Sequence, residues 1–256
     1  MAPQQLDQLV QQIALYPDPL LAQVLTASTY WNEIPDAATW ANQHSFLQGD
    51  ALANAIAQDR LAFDPSVMAL LPFPSVLDMM ARDPGWTQAL GNAVLNQRPE
   101  VMDSVQRLRQ QAYSYGYLRP NPQYNVVYAP GAIQILPLTP GYVVVPYYNP
   151  GVVFVRPRAG FFVGGAISFG PRVFIGGAFA PWGWGGVSFG WRTHDIIVGG
   201  RPWVRTWTNR GAYVHSYDRP VPHYAGGRVE HHEGELRPYH PQERHEERHD
   251  DHRDHH

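Results

Sequence analysis

The hydrophobic periodicity of the sequence changes near residue 120, and this change constrains the fold more than any other feature. Before it, apolar residues recur at spacings of three and four, as in Leu6, Leu9, Val10 and Ile13, which is the stripe of an amphipathic helix. After it, short β-branched runs alternate with turns that contain Pro and Gly, which is typical of strands. The sequence therefore predicts an α+β chain, with helices first and antiparallel strands after them.

Proline and aspartate mark where the predicted helices begin. Pro17 ends one helix because the residue before a proline is pushed out of the α region. Asp18 is predicted to cap the next helix, with Pro19 in its first turn. The same Asp-Pro pattern recurs at Asp64 and Asp83. Seven or eight short helices are predicted, at about 4–15, 19–30, 34–43, 50–58, 65–72, 75–82, 85–97 and 100–114.

The second part of the chain is predicted to be a Gly- and aromatic-rich β module. Three or four strands are expected over 125–155, further strands over 159–191, and more over 194–217. The uncharged stretch 173–191 approaches the length of a membrane-spanning helix. It contains Pro181 and several glycines and has a period of two, so strands are favoured and no transmembrane span is expected.

Charge divides the chain into three blocks that a net charge of −3 conceals. Residues 1–149 are acidic, residues 150–228 carry nine Arg against Asp195 and Asp218, and residues 229–256 are again acidic. Asymmetry on this scale usually marks separate modules. The predicted domains are an acidic all-α domain (1–118), a basic β module (119–227) and a disordered His-rich tail (228–256).

Catalytic patterns are weak in this sequence. Because it has no Cys, thiolate catalysis, disulfides and cysteine zinc sites are excluded. The stretch Gly186-Val187-Ser188-Phe189-Gly190 matches the nucleophile elbow, but that motif needs a strand before it and a helix after it. A further strand is expected after Ser188, so no enzymatic activity is predicted.

Arginine and tryptophan are interleaved in the basic β module, which indicates a surface for a protein or an anionic envelope component, contacts with the rest of the same chain, or ordinary solvent-exposed surface. Guanidinium and aromatic groups together can also bind nucleic acid, but no nucleic-acid-binding motif accompanies them. Exposed strand edges add the possibility of self-association. The candidate anion- or partner-binding residues are Arg156, Arg158, Arg201, Trp203, Arg205, Trp207 and Arg210.

The tail indicates metal binding, because eight of the twelve histidines lie in residues 228–256. In a helix, His245, His249, His252 and His256 would line one face, where imidazole pairs can chelate zinc, nickel or copper. No cofactor is predicted to be required. The candidate metal ligands are His231, His232, His240, His245, His249, His252, His255 and His256.

Several segments resemble a known bacterial family, the domain of unknown function 3300. They are "LDQLV", "ALYPDPLLAQVL", "ASTY", "GDAL", "WTQALG", "VMDSVQRLR" and "VVVPYYNP", within residues 6–150. The resemblance implies a protein of the Gram-negative envelope, periplasmic or extracellular. It implies no known activity or catalytic residue. Since "MAPQQLDQLV" has no signal-peptide character, the chain would then be a mature form.

The function predicted from all these features is a non-enzymatic envelope interaction or scaffold protein with accessory metal binding by the tail. Two alternatives stay open. One is a metal-handling protein for zinc, nickel or copper whose folded part is an anchor. The other is a self-assembling β-rich surface protein.

Overall fold

The computed structural model describes residues 1–129, 131–157 and 165–213. Short helices form its first part and small antiparallel sheets its second, so the α+β prediction is confirmed at the level of fold class. A 3-10 turn, Ser28–Tyr30, follows the second helix. The helices are α1 Pro3–Val10, α2 Asp18–Ala27, α3 Ile34–Gln43, α4 Gly49–Asp59, α5 Pro65–Met68, α6 Pro74–Arg82, α7 Pro84–Asn96 and α8 Arg98–Ser114.

Proline and aspartate begin α5 and α7 as predicted. Asp64 Oδ1 accepts a hydrogen bond from the Ser66 backbone N–H at 2.9 Å, and Asp83 Oδ1 accepts one from Trp86 N–H at 2.9 Å. Pro65 and Pro84 occupy the first helical positions, where no backbone donor is needed. These two helix starts are therefore set by local chemistry.

Asp18 differs from these two residues, and the prediction that its side chain caps α2 is wrong. The helix begins at Asp18 itself, and Pro17 precedes it without a side-chain cap. The buried carboxylate accepts hydrogen bonds from Arg109, Trp191 and the backbone of Ile135 instead. Burial explains the difference, because a charge removed from water needs strong partners more than a helix end needs a cap.

Among the described residues, the β part consists of short strands in four small sheets. The first hairpin is regular, with Tyr124 opposite Pro137 and Ala129 opposite Ala132. The described strands pair antiparallel as β1–β2, β3–β6, β4–β5 and β7–β8–β9. They are β1 Tyr124–Ala129, β2 Ala132–Pro137, β3 Tyr142–Val143, β4 Pro146–Tyr148, β5 Ile167–Phe169, β6 Val173–Phe174, β7 Ser188–Gly190, β8 Asp195–Val198 and β9 Arg201–Pro202.

Three stretches predicted to be strands adopt other structures, and one of them, Arg210–Tyr213, is a 3-10 helix. Pro150–Val153 is a one-turn helix (α9) whose first turn is capped by Asn149, which accepts from Gly151 N–H at 2.9 Å. Gly177–Trp182 is a 3-10 helix. The chain enters it through Gly176, whose φ of 59° is a turn conformation that ends the strand. Part of the predicted 159–191 region, residues 159–164, lies outside the described residues.

The helical and β parts share one hydrophobic core. Leu20 and Val24 of α2 belong to the same buried cluster as Val143, Phe179 and other residues of the β part. All described residues fall within one compact unit. The predicted boundary between residues 118 and 119 therefore separates segments that pack together. Within the described ranges, no helix combines the length and the apolar character needed to cross a bilayer.

Candidate interaction site

A buried ion pair holds the segment that contains the Tyr16-Pro17-Asp18-Pro19 motif. Arg109 Nη1 donates to Asp18 Oδ1 at 2.6 Å, and both side chains are almost completely buried. Arg109 also donates to three backbone carbonyls, those of Ala14 (2.8 Å), Tyr16 (2.9 Å) and Ile133 (2.8 Å). The guanidinium therefore fixes the backbone just before the motif and at its first residue, and it links them to β2.

The same carboxylate connects the motif to the β part. Asp18 Oδ2 accepts from Trp191 Nε1 at 2.9 Å, and Oδ1 also accepts from Ile135 N–H at 3.1 Å. The Trp191 ring lies 5.0 Å from the Arg109 guanidinium carbon. One network thus joins α2, α8, β2 and the turn after β7. A buried network whose members are satisfied makes the surrounding backbone rigid.

The segment 143–150, "VVVPYYNP", packs directly against this motif. The Tyr148 hydroxyl donates to Gln11 O at 2.9 Å and accepts from Leu15 N–H at 3.2 Å. Burial raises the pKa of Tyr148 well above its ordinary value. Tyr148 therefore stays protonated at neutral pH and acts as a structural hydrogen-bonding group.

The two segments and α6 enclose an open cleft with a volume of about 670 Å³. This volume lies within the range of small-ligand sites, about 300–1,000 Å³. We call it the motif cleft; its lining residues are Gln11, Gln12, Tyr16, Ser75, Asp78, Met79, Arg82, Pro146, Tyr147, Tyr148, Asn149, Pro150 and Gly151. The structure therefore brings Tyr16, the first residue of "YPDP", and the "YYNP" segment, which are far apart in sequence, to one site.

Polar groups with little net charge line the motif cleft. Its charged lining residues are Asp78 and Arg82, one of each sign. Asp78 Oδ1 already accepts from Asn42 Nδ2 at 2.6 Å. Burial raises the pKa of Tyr16, which therefore also remains a neutral phenol. Amides, phenols and one balanced pair of charges can bind a neutral polar ligand through hydrogen bonds.

Tyr147 forms one wall of the motif cleft and is 44% exposed. Its hydroxyl donates to Ser75 Oγ at 2.9 Å, which links β4 to α6. A Cβ atom at Gly170 would lie 3.1 Å from the Tyr147 ring. The absence of a side chain at Gly170 therefore allows the ring to lie close to the backbone that follows β5.

The predicted Arg and Trp residues do not share one environment. Arg205 is buried: it donates to Thr29 O at 3.1 Å, and its guanidinium carbon lies 3.8 Å from the centre of the Tyr30 ring. Trp203 is half-buried, with the Arg98 guanidinium 4.6 Å from its ring. Arg98 also donates to the carbonyls of Trp203 and Arg205, so this part of the run fastens the chain to α8.

The other members of that set lie on the surface. Arg156 and Arg201 are exposed, and Arg210 covers the exposed ring of Trp207 at 3.7 Å. Arg158 lies outside the described residues. The described part of this set therefore includes buried and exposed members, and the prediction of an anion- or partner-binding surface concerns its exposed residues.

The eight predicted metal ligands all lie outside the described residues. Within residues 1–129, 131–157 and 165–213, no group of three or more His, Asp or Glu side chains is placed to hold a metal ion. Ser188 is exposed in β7, and the turn after this strand leads to β8. The segment is a hairpin and lacks the strand–turn–helix context of a nucleophile elbow.

A buried acid lies beside Arg205. Glu33 is 1% exposed, and its Oε2 accepts from Asp64 N–H at 2.6 Å. The pKa of Glu33 is raised to about 7: burial is the largest cause and the Asp64 charge adds to it, whereas the backbone hydrogen bond from Asp64 and the Arg205 charge act to lower it. Folding therefore places one carboxyl group where it titrates near neutral pH.

Sequence reasoning missed most of this site. Arg109 and Trp191 carry no local signal of their role, because their partner Asp18 lies more than 90 residues from Arg109 and 173 from Trp191. A signal did exist for the motif cleft. The segments "ALYPDPLLAQVL" and "VVVPYYNP" both carry the family resemblance, and this shared property could have indicated that the two segments meet in the fold.

Comparison with known proteins agrees with that resemblance. The family model "Protein of unknown function (DUF3300)" matches residues 2–216. The Uncharacterized protein YacH of Escherichia coli (strain K12) is 36% identical over 182 residues, which is 59% of this chain and 29% of YacH. The chain thus covers less than a third of that relative. No solved structure matches.

Proposed function

The chain belongs to the DUF3300 family, and we propose that it is a non-enzymatic interaction or scaffold protein of the bacterial cell envelope, whose partner binds in the motif cleft. The observation that carries this proposal is the meeting of the segment 11–16, which ends at the first residue of "YPDP", with the "YYNP" segment in one open cleft. The Arg109–Asp18 network holds the first of these segments rigid. Sites on rigid elements lose less entropy when they bind.

The groups in the motif cleft favour binding over catalysis. The phenols of Tyr16 and Tyr148 have pKa values raised by burial, so neither serves as a base near neutral pH. Gln11, Gln12 and Asn149 add amides, which donate and accept hydrogen bonds but do not titrate. Such groups recognise a ligand without transferring protons to it.

A pull-down from envelope fractions tests this function. Gln12 is exposed at the motif cleft, and Gln58 is exposed on α4 outside its lining. Gln12→Trp should fill the cleft and abolish partner capture, whereas Gln58→Trp should leave capture unchanged. Cell fractionation supplies the second readout: the chain should be recovered with periplasmic or outer-membrane fractions. Equal capture by both variants, or recovery in the cytosol, would contradict the proposal.

Metal handling by the tail is the second candidate, favoured by its eight histidines. Zinc and nickel would be titrated by calorimetry into the full chain at pH 7.4 with a competing chelator. The comparison is a full chain in which His245, His249, His252 and His256 are replaced by Ala. Tight stoichiometric binding that this replacement removes would make metal handling the favoured function. Weak multi-site binding in both chains would exclude metal handling as a function.

A further inference from the structure

A second cavity lies beside the motif cleft. It has a volume of about 280 Å³ and shares Ser75 and Tyr147 with the cleft, so the Tyr147–Ser75 hydrogen bond lies at their common border. We call this cavity the apolar socket. It is lined by His44, Ser45, Leu47, Gln48, Leu52, Leu71, Pro72, Phe73, Pro74, Ser75, Val145, Tyr147, Pro171, Arg172 and Val173.

Buried core residues form part of the apolar socket. Leu71 and Phe73 are each 1% exposed and Val145 is 4% exposed, so the cavity reaches the hydrophobic core. Its volume is below the usual range for a whole small ligand, about 300–1,000 Å³. A single large apolar group therefore suits the socket better than a complete cofactor or metabolite.

An exposed aromatic ring lies beside the socket. Phe46, between the lining residues Ser45 and Leu47, is 78% exposed, and its ring centre lies 6.4 Å from that of the lining residue His44. Large exposed apolar side chains beside a pocket are the usual composition of a protein-binding surface. An apolar pocket that receives one side chain is the usual form of an interface hot spot.

We infer that the apolar socket and the motif cleft together bind an extended, uncharged peptide segment of a partner protein. This inference rests on the proposed function. One large apolar side chain enters the socket, and the neighbouring backbone lies in the motif cleft. The amides of Gln11, Gln12 and Asn149 match the N–H and C=O groups that a peptide backbone presents.

Charge supports a peptide over an anionic ligand. The motif cleft contains one acid and one base, Asp78 and Arg82. At the socket, Arg172 already donates to Pro122 O at 3.0 Å. The two linings together hold Arg82 and Arg172 against Asp78, and Arg172 is already hydrogen-bonded to the backbone, so they offer a phosphate or lipid headgroup little free positive charge. A neutral glycan would suit the cleft, but it has no bulky apolar branch for the socket.

Selection of peptides tests this inference. A phage-displayed library of random twelve-residue peptides would be panned on the full chain, and an enriched peptide would be synthesised with a fluorophore for anisotropy measurements. We expect enriched sequences to share one large apolar residue flanked by uncharged residues. Replacing that residue with Ala should weaken binding at least tenfold.

Socket variants locate the bound peptide. Val173→Trp and Leu47→Trp, both at half-buried lining positions, should each fill the socket and weaken binding at least tenfold. Val204→Trp, at an exposed apolar position outside both linings, should change binding less than twofold. Thermal melting of each variant would verify that it folds. Because two socket positions are changed independently, the test can still be read if one of the two variants misfolds.

Three outcomes would overturn the inference: no enriched peptide, enrichment of charged peptides without an apolar residue, or binding that both socket variants retain. Direct binding of chitohexaose, a neutral glycan, without any peptide binding would assign the cleft to sugars and also overturn the inference. If the pull-down still depends on Gln12 in any of these cases, the proposed function stands while the peptide inference fails.

Discussion

At the residue scale, the fate of Asp18 shows how burial changes the role of a common local pattern. Three Asp-Pro pairs look alike in the sequence, at Asp18, Asp64 and Asp83. Two of them cap helices through their side chains. The third is buried, and its carboxylate binds Arg109 and Trp191. The Asp-Pro pattern at helix starts can be recognised in the sequence, whereas the long-range partners of Asp18 cannot be predicted from it.

Asp18→Asn should destabilise the chain strongly. The substitution leaves Arg109 buried without its counter-charge and places an amide where two oxygens accept hydrogen bonds. Breaking a buried pair in this way costs about 3–5 kcal/mol. Urea denaturation would measure the loss, with Asp103→Asn as control, because Asp103 is exposed and its pair with His194 contributes about 1 kcal/mol or less. Similar small losses in both variants would contradict the role assigned to Asp18.

Glu33→Gln should change how stability depends on pH. The folded chain holds the Glu33 proton up to about pH 7, whereas the unfolded chain releases it near 4.5. The contribution of Glu33 to stability therefore falls as pH rises from about 4.5 to 7. The glutamine side chain of the variant retains an acceptor for Asp64 N–H but does not titrate. Relative to the natural chain, Glu33→Gln should thus be more stable at pH 8 than at pH 5, by on the order of 2 kcal/mol. Equal pH dependence in both chains would show that Glu33 does not titrate in this range.

At the scale of elements, α7 contains a glycine that its helix propensity does not explain. A Cβ at Gly91 would lie 2.1 Å from the backbone oxygen of Ser28, because α7 packs against the turn Ser28–Tyr30 at very short range. In the sequence, Gly91 looks like a weak point in a helix. In the structure it is the residue that allows this contact.

Gly91→Ala should therefore destabilise the chain although alanine favours helices. The backbone of Ser28 cannot move aside like a flexible side chain, and overpacking costs about 1–3 kcal/mol. Gly85→Ala in the first turn of the same helix meets only an ordinary contact of 3.4 Å with Asp83 Oδ1. That control should be neutral or stabilising by up to about 1 kcal/mol. Thermal melting of the two variants measures the difference in stability. Equal shifts in melting temperature would contradict the close packing of α7 against the Ser28 backbone.

The helices could be read from the sequence, but much of the β part could not. Helix starts depend on local features, such as Pro65 after Asp64. In contrast, Trp184 donates from Nε1 to Ala69 O at 2.8 Å, and Phe179 is fully buried in the common core. These distant contacts, together with the turn at Gly176, produce a 3-10 helix where alternating apolar and small residues predicted a strand. The periodicity of the sequence contains no information on the contacts or on the turn.

At the scale of the whole molecule, the shared core predicts cooperative unfolding. Helical residues such as Leu20 and β-part residues such as Phe179 lie in one buried cluster. Far-ultraviolet circular dichroism, which reports helices, and tryptophan fluorescence, to which five of the eight tryptophans contribute from the β part, should therefore give one urea midpoint. Two separated midpoints would show that the helical and β parts unfold independently, as the charge blocks of the sequence suggested.

A partner bound in the motif cleft should be captured by a photo-cross-linking amino acid placed at Gln12, in cells that produce the full chain. We expect a discrete cross-linked product in the envelope fraction from position 12, and none from the same amino acid at Gln58 on α4. Products of equal yield at both positions, or a product at Gln58 alone, would contradict the claim that the cleft is the interaction site.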